Sequence, residues 1–78
     1  MKHHVIAYNN KTVVINYVRK PREFVVACQR IMDNGADGYV LTPKGELFRV
    51  MQGSRIARPV KEDWEITEAM KLFEVRVS

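Results

Sequence analysis

The clearest hydrophobic pattern in the chain lies between Pro21 and Gly35. At the helical repeat of about 100° per residue, the apolar side chains of this segment gather on one side, opposite its charged and amide side chains. The apolar side consists of Phe24, Val25, Ala27, Cys28, Ile31 and Met32. Proline is favoured at the first position of a helix, and glycine at the position that closes it. The pattern therefore predicts a core helix that begins at Pro21 and ends just before Gly35.

Segments rich in β-branched and aromatic residues predict two hairpins, one on each side of this helix. Residues 4–8 and 12–18 form the first, and Asn9, Asn10 and Lys11 between them suit a turn of either two or three residues. Residues 39–42 and 46–51 form the second, separated by the turn sequence Pro-Lys-Gly. Because both faces of the second hairpin carry apolar residues, we expect the helix to cover one face of the sheet. The C-terminal segment or a partner would cover the other.

The pattern is weaker after residue 51. Residues 52–61 contain Gly53, Ser54 and Pro59, which interrupt the pattern, and they predict a loop or an irregular edge. A helix capped by Asp63 would align Ile66, Ala69, Met70 and Phe73 along one stripe. Strict alternation near the C-terminus favours a strand instead. We predict a helix over residues 64–71 and a strand over residues 72–77.

These elements make a single α+β domain over residues 1–78, ordered β-β-α-β-β-α-β. Hydrophobic residues form 46% of the chain and charged residues 28%, as is typical of globular proteins. A chain this short buries only about 60 to 65% of its unfolded surface, so it has little room for a deep active-site cleft. The single Cys28 allows no intrachain disulfide, and no apolar run approaches the length of a membrane span. We therefore expect a cytoplasmic protein without membrane contact.

The sequence contains no pattern typical of an enzyme or a metal site. Neither Ser54 nor Ser78 lies in a G-x-S-x-G motif, and the four glycines form no phosphate-binding loop. His3 and His4 are adjacent, so on a strand they point to opposite faces, whereas a closed zinc site needs three or four converging ligands. We expect no catalytic residue, no metal, no cofactor and no small-molecule substrate.

The net charge of +4 is distributed unevenly along the chain. Residues 1–61 carry a formal charge of +7, and residues 62–78 carry −3. Basic and acidic faces are expected from this division, and a basic face favours a polyanionic or acidic partner.

The cations occur in two clusters, and they provide the candidate binding residues. Arg19, Lys20 and Arg22 flank the start of the central helix, whereas Arg49, Arg55, Arg58 and Lys61 accompany or follow the second hairpin. If the fold brings the clusters together, they form a patch that neutralises phosphates, with Tyr8, Tyr17, Tyr39 or Trp64 available for stacking. If it does not, they are two unrelated solvated runs. The seven cations and Trp64 are the predicted partner-binding residues.

Two apolar residues do not fit the helical patterns. Val26 falls on the polar side of the central helix, and Trp64 falls opposite the apolar stripe of the C-terminal helix. Tryptophan is enriched at the energetic centres of protein interfaces, so either residue is a candidate anchor for a protein partner. The alternatives are that Trp64 packs under a loop and that Val26 is a singly exposed apolar residue.

In size and composition the chain resembles phage-encoded or mobile-element accessory proteins that bind and alter a host machine. We expect a non-catalytic basic protein, monomeric or a small homo-oligomer, that regulates or inhibits a nucleic acid or nucleoprotein machine. The alternative is an inhibitor or adaptor that binds an acidic protein surface without touching nucleic acid. Binding to naked DNA and RNA separates these two hypotheses.

Overall fold

The computed structural model describes residues 2–8, 10–35, 37–51, 53 and 56–77, with side chains for all of these except Lys2, Tyr8 and 74–77. The elements in this part of the chain are β1 (Lys2–Tyr8), β2 (Lys11–Tyr17), α1 (Pro21–Asp33), β3 (Asp37–Leu41), β4 (Leu47–Val50), β5 (Ala57–Pro59) and α2 (Asp63–Val77). They form a single α+β domain in which a sheet lies between two helices.

The five strands lie in one mixed sheet, side by side in their order along the chain. Neighbouring strands are antiparallel except for β2 and β3, which are parallel. Parallel neighbours need a crossover connection, and α1 supplies it. The parallel step brings the end of β2, where α1 begins, beside the end of β3, where the β3–β4 turn begins. This arrangement positions the candidate site.

Helix α1 begins at Pro21 and ends at Asp33, as the sequence predicts. Gly35 follows with a φ of 60°, the left-handed conformation that favours glycine after a helix. Ala27 and Ile31 of this helix are buried against Val14, Val18, Val40 and Val50 of the sheet. Val25 is 71% exposed, so its placement on the core face was wrong. It lies at the margin of the apolar stripe, where the helix already turns away from the sheet.

Helix α2 covers the opposite face of the sheet. Ala69 and Phe73 are buried there among Ile6, Val13, Ile15, Leu41, Leu47 and Val60. The helix runs without interruption to Val77, so the strand predicted over residues 72–77 is wrong. Phe73 belongs to the helical stripe as well as to the short alternating segment. Packing on the sheet favours the helical spacing, which keeps Phe73 one turn from Ala69 and in the same core.

The segment predicted as a loop or an irregular edge contains the edge strand β5. The element order is β-β-α-β-β-β-α, which differs from the predicted order after β4. Ala57 pairs with Val50, and Pro59 pairs with Phe48. Proline is tolerated on an edge strand when the position of its missing N–H faces away from the neighbouring strand. The N–H of Val60 donates to the carbonyl oxygen of Leu47 at 2.9 Å, which places Pro59 in that outward orientation.

The strand pairing and the backbone hydrogen bonds define the two hairpin turns. Tyr8 pairs with Lys11, so the first turn has two residues rather than three. Asn10 in that turn has a φ of 63°, a conformation that asparagine tolerates. In the second turn the N–H of Gly45 donates to the carbonyl oxygen of Thr42 at 3.0 Å. Within the described residues, neither helix is long and apolar enough to cross a membrane.

Candidate functional site

The strands β2, β3, β4 and β5 each have one terminus at the end of the sheet where α1 begins. The N–H of Val18 donates to the carbonyl oxygen of Leu41 at 3.0 Å, and Leu41 pairs with Leu47. The N–H of Val60 bonds Leu47 in turn. The start of α1, the β3–β4 turn and the segment after β5 therefore lie at the same end of the sheet.

Among the described side chains, five exposed cations lie at this end of the sheet, and we call them the basic rim: Arg19, Lys20, Arg22, Lys44 and Lys61. Adjacent strands lie about 4.8 Å apart, so the three steps from Arg19 to Lys61 span roughly 15 Å. None of the five makes an ion pair with another described residue. Their charges are therefore available to a partner.

Three carboxylates, Glu23, Glu46 and Glu62, belong to the same end of the sheet. The backbone N–H groups of Arg19 and Lys20 donate to Oε1 of Glu23 at 2.7 Å and 3.2 Å. The bond from Arg19 is the main cause that lowers the pKa of Glu23 below its ordinary value. Glu23 thus caps α1, and the rim keeps an excess of positive charge.

An open groove of about 570 Å³ lies between the start of α1 and the β3–β4 turn. Phe24 and Phe48 meet edge to face in it, with ring centroids 4.9 Å apart. Val18 and Pro21 add apolar surface, and three rim cations and one carboxylate also line it: Arg19, Lys20, Lys44 and Glu46. The rim therefore surrounds an apolar, aromatic surface.

Arg49 lies outside the rim, in an ion network beneath α2. Its Nη1 donates to Oε2 of the buried Glu65 at 2.7 Å, and its Nη2 lies 3.6 Å from Oδ2 of Asp37. Its guanidinium also lies 5.7 Å from the ring centroid of Tyr39, within cation–π range. Partial burial alone lowers the pKa of Arg49, but the bond to Glu65 and the neighbouring charges raise it above its ordinary value. Arg49 therefore joins α2 to the sheet.

The second predicted cluster is divided by the fold. Nη2 of Arg58 lies 3.8 Å from Oε1 of Glu65, so this half-exposed side chain also belongs to the network under α2. Lys61 belongs to the rim, and Arg55 lies outside the described residues. The clusters meet at one end of the sheet only through Lys61.

Trp64 is 66% exposed, so it does not pack under a loop. It lines a second open groove, of about 840 Å³, together with Tyr39, Arg49, Lys11 and Leu72. This groove opens on the α2 side of the sheet and is distinct from the groove bordered by the rim. Val26 is 50% exposed on α1. Both residues that fit the helical patterns badly are therefore accessible to a partner.

The residues with chemical potential for catalysis or metal binding are dispersed. His3 pairs with Asn16 and His4 with Ile15, so the two side chains lie on opposite faces of the sheet. Within the described ranges, no three His, Cys, Asp or Glu side chains lie close enough to hold a metal ion. Burial raises the pKa of the Cys28 thiol, which makes it less reactive at neutral pH. Ser54 and Ser78 lie outside the described residues.

Three residues of the site were missed by sequence reasoning. Lys44 was assigned only to a turn, and Phe24 and Phe48 only to apolar faces. Predicting that β2 and β3 are parallel neighbours would have placed Lys44 beside Lys20. This pairing puts the β3–β4 turn next to the start of α1. The sequence allows that pairing but does not require it.

No protein-family model, curated protein sequence or solved structure gives a significant match to this chain.

Proposed function

We propose that this chain is a non-catalytic binding protein that acts on a nucleic acid or nucleoprotein machine. Its basic rim binds the polyanion of that machine, which is the nucleic acid. The observation that carries the proposal is the concentration of five exposed, unpaired cations at one end of the sheet. Regulation or inhibition of that machine would follow from occupying its nucleic acid.

Unpaired surface cations suit this role because they stay hydrated and are not neutralised within the fold. A nucleic acid that meets them releases condensed counterions, and this release provides most of the affinity of sequence-independent binding. Arg49 contrasts with them, since its charge is already balanced by Glu65 and Asp37. The proposed surface therefore keeps Arg19, Lys20, Arg22 and Lys61 of the predicted set, adds Lys44, and leaves out Arg49.

The groove beside the rim adds a second kind of contact. Bases of single strands stack on aromatic side chains in binding proteins, and cations nearby follow the phosphates. Phe24 and Phe48 line the groove, with Lys20 and Lys44 beside them. This combination favours a single-stranded segment in the groove over a fully paired duplex.

The test compares two double variants with the same change of charge. Lys20→Ala/Lys44→Ala removes two rim cations, and Lys11→Ala/Lys71→Ala removes two exposed lysines outside the rim. Each is titrated against labelled single-stranded DNA, single-stranded RNA and duplex DNA at several salt concentrations. We expect the rim variant to lose about 1 to 2 units of the slope of log K against log salt, and the control to lose much less. Equal slopes in both variants would contradict the proposal.

The exposed Trp64 favours a second candidate, the protein inhibitor or adaptor that binds an acidic protein surface. Trp64 presents an exposed apolar anchor for a protein partner. The charged residues of its groove are Lys11, Arg49, Asp37, Asp63 and Glu68. The acidic side chains of the partner would therefore have to meet cations outside this groove. In that case the wild type binds none of the naked nucleic acids in a salt-dependent way. A pull-down from source cells then captures the same acidic protein with and without nuclease, and Trp64→Ala loses it.

A further inference from the structure

The outer edge of β1 is a long stretch of backbone with no neighbouring strand among the described residues. β1 lies at one side of the sheet and β5 at the other. β5 has three residues and contains Pro59, features that discourage the addition of another strand. β1 has seven residues and pairs with β2 from Lys2 to Tyr8 without a bulge. Between His3 and Ala7 it contains no proline and no Lys, Arg, Asp or Glu.

The first turn determines which backbone groups of β1 face outward. A two-residue turn closes on a pair that exchanges both N–H···O bonds, here Tyr8 and Lys11, and bonded pairs alternate along an antiparallel ladder. Even-numbered residues of β1 therefore bond β2. The N–H and C=O groups of His3, Val5 and Ala7 point to the open edge, and all three residues are exposed.

The side chains of these same three residues lie on the face of the sheet that carries α1. They pair with residues 12, 14 and 16 of β2. Helix α1 packs over β2, β3 and β4 on this face, and it leaves His3, Val5 and Ala7 of β1 exposed. Val5 is 53% exposed there, and Val26 on the nearby side of α1 is 50% exposed. An uncovered apolar side chain thus lies at the middle of an open, uncharged edge.

We propose that β1 pairs antiparallel with β1 of a second copy of this chain, about a twofold axis at Val5, to form a dimer with one continuous sheet. In this register Val5 lies opposite its own copy, His3 opposite Ala7, and His4 opposite Ile6. The outward-facing backbone groups of His3, Val5 and Ala7 in one strand then lie opposite those of the other strand. This pairing gives about six N–H···O bonds.

A second copy fits this edge because the strand is self-complementary in charge. Each histidine meets an uncharged residue, so no two ionisable side chains of His3 to Ala7 face each other, and β-branched residues such as valine pair well across strands. The dimer is independent of the proposed nucleic-acid binding. Because the strands are antiparallel, the twofold axis places the two basic rims at opposite ends of the joined sheet.

Substitutions at Val5 test the dimer without disturbing the protomer. Val5→Pro removes the N–H at the axis, and that N–H does not bond β2. Val5→Lys places like charges opposite each other, and Val5→Thr keeps a β-branched side chain as the matched control. By sedimentation equilibrium from micromolar to roughly millimolar protein, the wild type and Val5→Thr should approach twice the 9.1 kDa protomer mass. Val5→Lys and Val5→Pro should stay monomeric, with the circular dichroism spectrum of the wild type.

Amide hydrogen exchange locates the interface. In the dimer the amides of His3, Val5 and Ala7 should exchange at least tenfold more slowly than in dilute monomer, while the amides already bonded to β2 change little. If Val5→Pro does not fold, Val5→Lys and the exchange data decide. A wild type that stays monomeric at the highest concentration overturns the proposal. So does a dimer that Val5→Lys leaves intact, or one in which these three amides stay unprotected.

Discussion

Gly38 occupies a point where α1 and the sheet leave no room for a side chain. A Cβ atom there would lie 2.5 Å from Cδ1 of Ile31 and 2.6 Å from the carbonyl oxygen of Val14. The backbone oxygen cannot move away without disturbing the β2–β3 pairing. We expect Gly38→Ala to cost about 1 to 3 kcal/mol of unfolding free energy.

Urea denaturation of a double-mutant cycle tests this reason. Adding Ile31→Ala to Gly38→Ala removes both clashing side-chain atoms, Cγ1 and Cδ1, so the pair should be less destabilised than the sum of the two single variants. If Gly38→Ala unfolds at the same urea concentration as the wild type, the distance between the sheet and α1 is larger than the distances given above.

Glu65 is a buried carboxylate that forms ion pairs with two arginines. Its side chain is 5% exposed, and it bonds Arg49 directly and lies near Arg58. Glu65→Gln leaves Arg49 partly buried without its main counterion. Because Arg49 keeps some solvent contact, we expect a cost of about 2 to 3 kcal/mol, below that of a fully buried pair.

The matched control is Glu68→Gln, one turn further along α2. Glu68 pairs with the exposed Lys71 at 3.4 Å, so its neutralisation should cost less than about 0.5 kcal/mol. Thermal denaturation of both variants at neutral pH compares them. Equal losses would mean that the network under α2 contributes no more than a surface pair.

Helix α1 shows how an element is oriented by the sheet it covers. Ile31 is fully buried, whereas Val25 is 71% exposed although both lie on the apolar side of the helical wheel. We expect Ile31→Ala to cost about 2 to 5 kcal/mol and Val25→Ala less than about 0.5 kcal/mol. Urea denaturation measures both, and similar losses would mean that the helix is rotated from the orientation described above.

Among its described side chains, helix α2 is held to the sheet mainly by Ala69 and Phe73. Ala69 and Phe73 are buried in the second core, while Trp64 in the first turn is exposed. The first turn is attached instead through the ion network of Glu65. Helix α2 is therefore attached to the sheet by apolar packing at Ala69 and Phe73 and by ion pairs at Glu65. The turn that contains Glu65 covers Arg49.

At the scale of the whole molecule, the charge asymmetry of the sequence is only partly visible. The acidic segment forms α2 and lies over the sheet, where Glu65 neutralises cations of β4 and β5. Among the described side chains, the five cations of the basic rim make no ion pair and lie at the end of the sheet where α1 begins. This internal pairing leaves the rim as the surface that we propose for a polyanion, and the rim is distinct from the groove at Trp64.

The sequence by itself determined the α1 helix, both hairpins and the α+β class, because caps, turn residues and repeats of side-chain type act over a few residues. It did not determine residues 72–77, where Phe73 fits both periods and burial against the sheet favours the helix. Ion pairing and strand order were decided only by tertiary structure. Glu65 and Arg49 are sixteen residues apart, and Lys44 reaches the rim through the parallel pairing of β2 with β3. Such contacts depend on how complete elements pack, which no local pattern specifies.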